Sequence, residues 1–347
     1  MALNVALSIA VHLAAPPQPK FSDRVYYDHN SVAPLQHGCA NTIYCYRVLV
    51  PMLLAQIPAD PEVRWRTLQW TAQAAAGTVV GIAVSGIASP FMTSVLVQAS
   101  YGFTFAAYDP YSADPVVFLF IALMLYAWVT DRAGLATMLG IVGVFAKETV
   151  ALVMLAPAAA ILLSNASPSR WRWLMPPLFS FAVLGLFHWY ADTFLAWDMS
   201  TNPAANVLAG SWIRLWLEQN GSWLHRLLMV FCVFGFAWVF APLGFRFAPP
   251  PWRHLALGAI LPMGGLVIVQ TPERALGNAF FVVVPLAAVA LRQLPGATAW
   301  AIVVSSSLIT ARNGLSSELL PTTTLLLGPA SAATLWGMWT LRKTANR

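Results

Sequence analysis

Apolar residues along this chain come in runs and not at alternating single positions. Twelve runs stand out: 1–15, 67–88, 90–107, 115–130, 133–147, 149–164, 173–191, 223–245, 255–270, 275–291, 297–311 and 320–341. Runs of about 15 to 23 residues match helices at bilayer scale, whereas barrel strands would alternate in segments of roughly ten. The pattern therefore predicts an all-α fold, a polytopic transmembrane helix bundle of about 10–12 spans. Several runs fall short of the roughly 20 residues a perpendicular crossing needs, so some are expected to be half-buried or re-entrant.

The polar breaks between runs carry the next inference. If the runs alternate in direction, 12 of the 13 Asp and Glu fall in connections on one side and only Asp131 falls on the other. A carboxylate near the bilayer centre costs about 2.5 to 3.5 kcal/mol even on the lenient insertion scale, so acids gathered at one mouth of a bundle point to chemistry at a membrane surface. Two connections on that side are long, 16–66 and 192–222, but neither holds a soluble domain. The chain is read as one integral membrane domain, 1–347. Within the first connection the stretch 46–57, YRVLVPMLLAQI, is too short to span and is expected to lie on the outer surface as an interfacial helix. Lys147 and Glu148 interrupt one long apolar stretch and residues 271–274 interrupt another; each interruption is expected to be an outward hairpin tip. A single tilted helix with a buried Lys-Glu pair is the alternative at the first.

Composition strengthens the membrane reading. Apolar residues are 59% and charged residues 9%, with mean hydropathy +0.67, where a soluble domain has about 25% charged positions. The formal charge of +6 would suggest nucleic acid in a soluble protein, but no Lys/Arg cluster exceeds two residues, so no nucleic-acid partner is expected. Among short connections the basic residues divide nine against three, which puts both termini in the cytoplasm. The first run lacks a basic leader and a clean cleavage site and reads as a retained helix, short enough that the start may be truncated. Cys39 and Cys45 share the first outer loop, as a bridge or as two free thiols, and Cys232 lies in a span. The 15 tryptophans gather near run ends, as belt aromatics do.

Four polar groups converge on the outer mouth: Asp28 in YYDHN, Asp109 and Asp114 in YDPYSADP, Lys147 with Glu148 in FAKET, and Glu273 with Arg274 in QTPERAL. Carboxylates can accept a proton from an attacking hydroxyl, and Lys or Arg can hold a phosphate, so the combination suits a phosphorylated lipid substrate. Each has a plainer reading. Asp28 is also a loop acid; Asp109 and Asp114 each precede proline, where short acids start turns and caps; Lys147 can snorkel; Arg274 and Glu273 can form a surface pair. The histidines show no HExxH or i, i+4 spacing, and neither a Walker loop nor GxGxxG occurs, so no metal and no cofactor is expected.

These same residues carry a resemblance. A short first helix, Tyr26-Tyr27-Asp28 in an outer loop, Tyr46-Arg47-Val48-Leu49-Val50-Pro51, Asp114-Pro115 opening a span, Lys147-Glu148-Thr149 in a hydrophobic hairpin and Arg274 at an outer helix start resemble, in that order, bacterial polytopic glycosyltransferases of the GT-C superfold. The resemblance implies a polyprenyl-phosphate sugar donor, a glycan, lipid or protein acceptor, and inverting transfer at the periplasmic face of the bacterial inner membrane. It implies Asp28 as general base, with Arg274 and Lys147 on the donor phosphate and Glu148 and Asp114 organising the site. The chain departs from the family's paired loop acids, because Asp23 lies five residues from Asp28. Two other classes compete: a secondary transporter or flippase for an amphipathic substrate, which should hold ionisable groups near the midplane, and a non-catalytic envelope-assembly protein.

Overall fold

Prolines set where many of these helices begin. The computed structural model describes residues 1–15, 35, 38, 45–164, 168–197, 214, 217–218, 223–267, 272–316 and 334–339, and the regular structure among them is helical, with no strand. In chain order the helices are α1 (Ala2–Ala14), α2 (Leu49–Ala55), α3 (Pro61–Val84), α4 (Pro90–Ala99), α5 (Tyr101–Tyr108), α6 (Asp114–Val129), α7 (Ala133–Gly143), α8 (Thr149–Val153) and α9 (Leu155–Leu162). A 3-10 turn (Pro168–Leu174) leads into α10 (Met175–Leu195), followed by α11 (Trp223–Cys232), α12 (Ala237–Phe247), α13 (Pro250–Val267), α14 (Pro272–Leu276), α15 (Phe280–Leu291) and α16 (Gly296–Ser316). Proline occupies the first turn of α3, α4, α6 and α10, where its missing N–H costs nothing and its fixed φ suits the helix.

The first polar interruption is a real break. The stretch holding Lys147 and Glu148 separates α7 from α8. A side chain on Gly143 would meet Val150 and one on Gly140 would meet Met154, so the two arms run antiparallel as a hairpin. Of the second interruption, residues 272–274 open α14, and residue 271 lies outside the described residues. Two runs expected to be continuous are split instead. Residues 90–107 divide at Ser100, whose extended ψ of 153° ends α4 and frees the Tyr101 N–H to donate to Val233 O at 3.1 Å. Residues 223–245 divide at Gly235, whose φ of +53° is costly for any residue with a Cβ.

Among the described residues two helices are long and apolar enough to cross a membrane, Arg170–Leu195 and Glu273–Leu291; the apolar helices α1, α4, α6, α7 and the stretch Thr149–Leu162 are shorter. Antiparallel packing sorts the breaks to two ends. At one end Trp65 packs on Tyr111, and Asp114 meets both Lys147 and Arg274. At the other, Asp131 meets Arg172, Trp128 Nε1 donates to Pro251 O at 3.2 Å, and Arg292 donates to Ile87 O at 3.1 Å. Asp109, Asp114, Glu148 and Glu273 thus share the first end and Asp131 lies at the second, while Asp23, Asp28, Asp198 and Glu318 lie outside the described residues.

Buried amides fasten the helices along their length. Asn4 donates to Ser94 Oγ at 3.1 Å, Gln98 Nε2 donates to Gln73 O at 2.9 Å, and Gln73 Nε2 donates to Phe103 O at 2.8 Å, tying α1, α3, α4 and α5 together. One turn away, Gln69 Nε2 donates to Pro110 O and, at 2.7 Å, to Ser112 O, so α3 also holds the loop that precedes Asp114.

Helix pairs elsewhere approach until backbone touches backbone. A Cβ on Gly258 of α13 would collide with Ala156 O of α9. Gly258→Ala should therefore lower the melting temperature in detergent, by about 1–3 kcal/mol of overpacking. Gly185→Ala, on α10 with open space around it, should hold or raise stability, as Ala exceeds Gly in a helix by about 1 kcal/mol. Equal melting behaviour of the two variants would contradict this packing.

Candidate functional site

The site begins with a short loop. After α5 the chain turns through 109–113, where Asp109 is buried and accepts from Tyr111 N at 3.4 Å, the turn-forming role open to an Asp before proline. Ser112 Oγ accepts from Asp114 N at 3.2 Å, and Asp114 opens α6, where a carboxylate also meets the positive end of the helix dipole. With Gln69 clamping the carbonyls of Pro110 and Ser112, the Asp114 carboxylate has little freedom.

Two cations reach it from the two hairpin tips. Lys147 Nζ lies 2.6 Å from Oδ1 and Arg274 Nε lies 2.6 Å from Oδ2. The exposures of 5% for Asp114, 14% for Lys147 and 17% for Arg274 place the cluster largely out of solvent, where unpaired charge would be expensive. Arg274 also donates from Nη2 to Ser112 Oγ at 2.7 Å, and its guanidinium sits 5.1 Å from the Phe105 ring centre, a cation-π distance. Two cations thus share one carboxylate, with Glu148 and Glu273 next to them in sequence.

Beside it, Arg47 grips Glu148 with a fork: Nη2 to Oε1 at 3.0 Å and Nε to Oε2 at 3.5 Å. The segment is further joined to the tip where Leu49 N donates to Phe145 O at 2.9 Å. Tyr46 stacks on His188 of α10 at 3.9 Å. Burial raises the Glu148 carboxyl, but Arg47 and Lys147 outweigh it and hold the group below its usual value. Burial pushes the Lys147 ammonium below the ordinary lysine value; Asp114 opposes this, while Arg47 and Arg274 add to it as like charges.

Of the residues singled out from sequence, Asp114, Lys147 and Arg274 meet directly and Glu148 stands beside them. Glu273 is buried next to Arg274, whose partner is Asp114. Asp28 and Asp23 lie outside the described residues. Arg47 and Ser112 had no assigned role in the sequence reading, and only their pairing across the fold reveals one; the nearest signal was Arg47 in the YRVLVP segment. The segment 46–57, expected as an interfacial helix, forms α2 with Val50, Pro51 and Leu54 buried and Met52 and Leu53 exposed. Cys45 is disulfide-bonded and Cys232 is free. Among the described residues no three His, Cys, Asp or Glu side chains gather as metal ligands.

Comparison of the chain with protein-family models finds no match, and comparison with curated protein sequences finds none either.

Removing Asp114 should do more damage than its single charge suggests. Asp114→Ala takes from two buried cations the carboxylate they share and should cost about 3–5 kcal/mol in a detergent melt, whereas Ser112→Ala, which removes one hydroxyl, should cost about 1 kcal/mol. A near-normal melt for Asp114→Ala would show that the triad is not a structural tie. Glu148 gives a pH signature. Its folded value is depressed, so its contribution is complete above the ordinary 4.5 and is lost as pH falls through the folded value. Wild type should therefore melt above Glu148→Gln at neutral pH, and the gap should close under acid; a gap independent of pH would contradict the pairing.

Proposed function

We propose that this chain is a multi-pass membrane glycosyltransferase that moves a sugar from a polyprenyl-phosphate donor to an envelope acceptor at the periplasmic face of a bacterial inner membrane. The observation that carries the reading is the Asp114–Lys147–Arg274 triad: two cations from separate parts of the chain, held by one buried carboxylate. Such a cluster is suited to a phosphate at the membrane edge. The two long apolar helices and the outward apolar face of α10, with Leu178, Phe181, Leu186, Trp189 and Phe194 exposed, support a membrane location. The resemblance to GT-C enzymes supports the donor class.

In this reading Asp28 takes the proton of an acceptor hydroxyl as its oxygen attacks the anomeric carbon. The new carbon–oxygen bond forms with inversion while the bond from that carbon to the phosphate oxygen breaks. The electron pair leaves with the phosphate, and Lys147 and Arg274 meet the developing charge. Asp114 holds both cations in place beforehand, so little reorganisation is needed when charge develops. The Lys147 ammonium has three donors and spends one on Asp114. Glu148, fixed by Arg47, keeps the tip in register. The charges cluster at one mouth and not along a path through the bundle, which favours surface chemistry over transport.

The test is sugar transfer from labelled polyprenyl-phosphate sugars in proteoliposomes, with donor binding measured on variants that melt normally. Arg274→Lys should be markedly impaired, because an ammonium cannot reproduce a guanidinium fork. Lys147→Arg should be tolerated better than Lys147→Ala, which should weaken donor binding about tenfold or more. Unaltered donor affinity in both Arg274→Ala and Lys147→Ala would remove the clamp, and wild type that transfers no sugar from any polyprenyl-phosphate donor would overturn the reading.

A further inference from the structure

The opposite end of the molecule carries a cleft lined by Trp128, Val129, Asp131, Arg170, Trp173 and Pro251. Its floor is the end of α6. There Arg132 N donates to Ala127 O at 2.8 Å and Asp131 N to Trp128 O at 3.2 Å, the paired bonds of a Schellman turn. The left-handed position, φ 55°, which glycine fills most easily, is held by Asp131. Each oxygen of its carboxylate has a partner: Oδ2 accepts from Arg172 Nη2 at 2.5 Å and Oδ1 from Trp173 Nε1 at 3.1 Å. Trp128 Nε1 is likewise turned to Pro251 O.

Arg170 differs from its neighbours. It lines the cleft, yet it has no hydrogen-bond or ion-pair partner among the described residues, while Arg172 beside it is neutralised by Asp131. Arg132 follows Asp131 and is exposed, and Arg253, in the same first turn as Pro251, has a buried Nε without a partner. The acid-poor end is thus a cationic surface with one unspent guanidinium at a tryptophan-walled cleft. The segment bearing it also exposes Trp171, Met175 and Leu178, an apolar surface on which acyl chains can lie.

We propose that this cleft binds the phosphate of an anionic phospholipid, with Arg170 as the ion-pairing group and the adjoining Trp171–Leu178 surface against its chains. The exposed apolar surface beside the cation selects a lipid over free phosphate, and the charge selects an anionic over a zwitterionic headgroup. The inference needs the chain to sit in a bilayer but not the glycosyltransferase reading, since the cleft lies at the end remote from Asp114.

The purified full chain in detergent is titrated with phosphatidylglycerol, with phosphatidylcholine of the same chains, and with inorganic phosphate, reading melting temperature and lipid retained by native mass spectrometry. Phosphatidylglycerol should be retained and raise the melting temperature. Arg170→Gln should weaken that binding about tenfold while leaving the lipid-free melt unchanged. Arg246→Gln, an exposed arginine at the same end outside the cleft, should bind as wild type. Equal retention by Arg170→Gln, equal retention of phosphatidylcholine, equal loss in Arg246→Gln, or saturation by inorganic phosphate with the same effect would each overturn the proposal.

Discussion

A carboxylate taken out of water must be paired, and the rest of the structure depends on how Asp114 is paired. Its two oxygens face cations 33 and 160 positions away. Neither cation is a neighbour in sequence, so the ion cluster can form only when the α7–α8 hairpin and the α13–α14 break reach the same end as the start of α6. Desolvation makes the arrangement nearly all-or-none: any one of the three groups left without the others would be a buried, uncompensated charge. The cluster therefore selects one register among the many that apolar helix surfaces alone would tolerate.

Apolar packing supplies the attraction, and the polar ties supply the selection. Phe103, Phe118 and Phe280 interlock at the centre, with ring centres 4.6 to 5.7 Å apart. Such contacts are strong but tolerant of sliding. The buried amides of Gln69, Gln73 and Gln98 are not, because each must find a specific carbonyl. Gln69 joins the two systems, since the carbonyls it binds belong to the loop that aims Asp114.

The two ends of the molecule use ionic groups differently. At the first, two cations share one carboxylate, and burial keeps the pairs from being screened by solvent. At the second, Asp131 neutralises Arg172 in a half-exposed pair, and the positive charge that remains is spread among separate arginines. The same residue types thus form a compact cluster at one end and a cationic surface at the other, according to how many helix ends converge.

Helicity and the hairpin break at Lys147 and Glu148 were readable from the one-dimensional pattern, because run length, proline and paired charges are local signals. Asp114, Lys147, Glu148 and Arg274 were legible as candidates for the same reason: each interrupts or opens an apolar run. The tertiary structure alone decided that Arg274 faces Asp114, that Arg47 holds Glu148 across 101 positions, and that Ser112 bridges Arg274 to the loop. It also decided the splits at Ser100 and Gly235, where contact with a second helix outweighs an uninterrupted apolar run. Sequence pattern records which residues avoid water; which of the remaining polar groups meet depends on antiparallel register and helix rotation, which only the packed bundle sets.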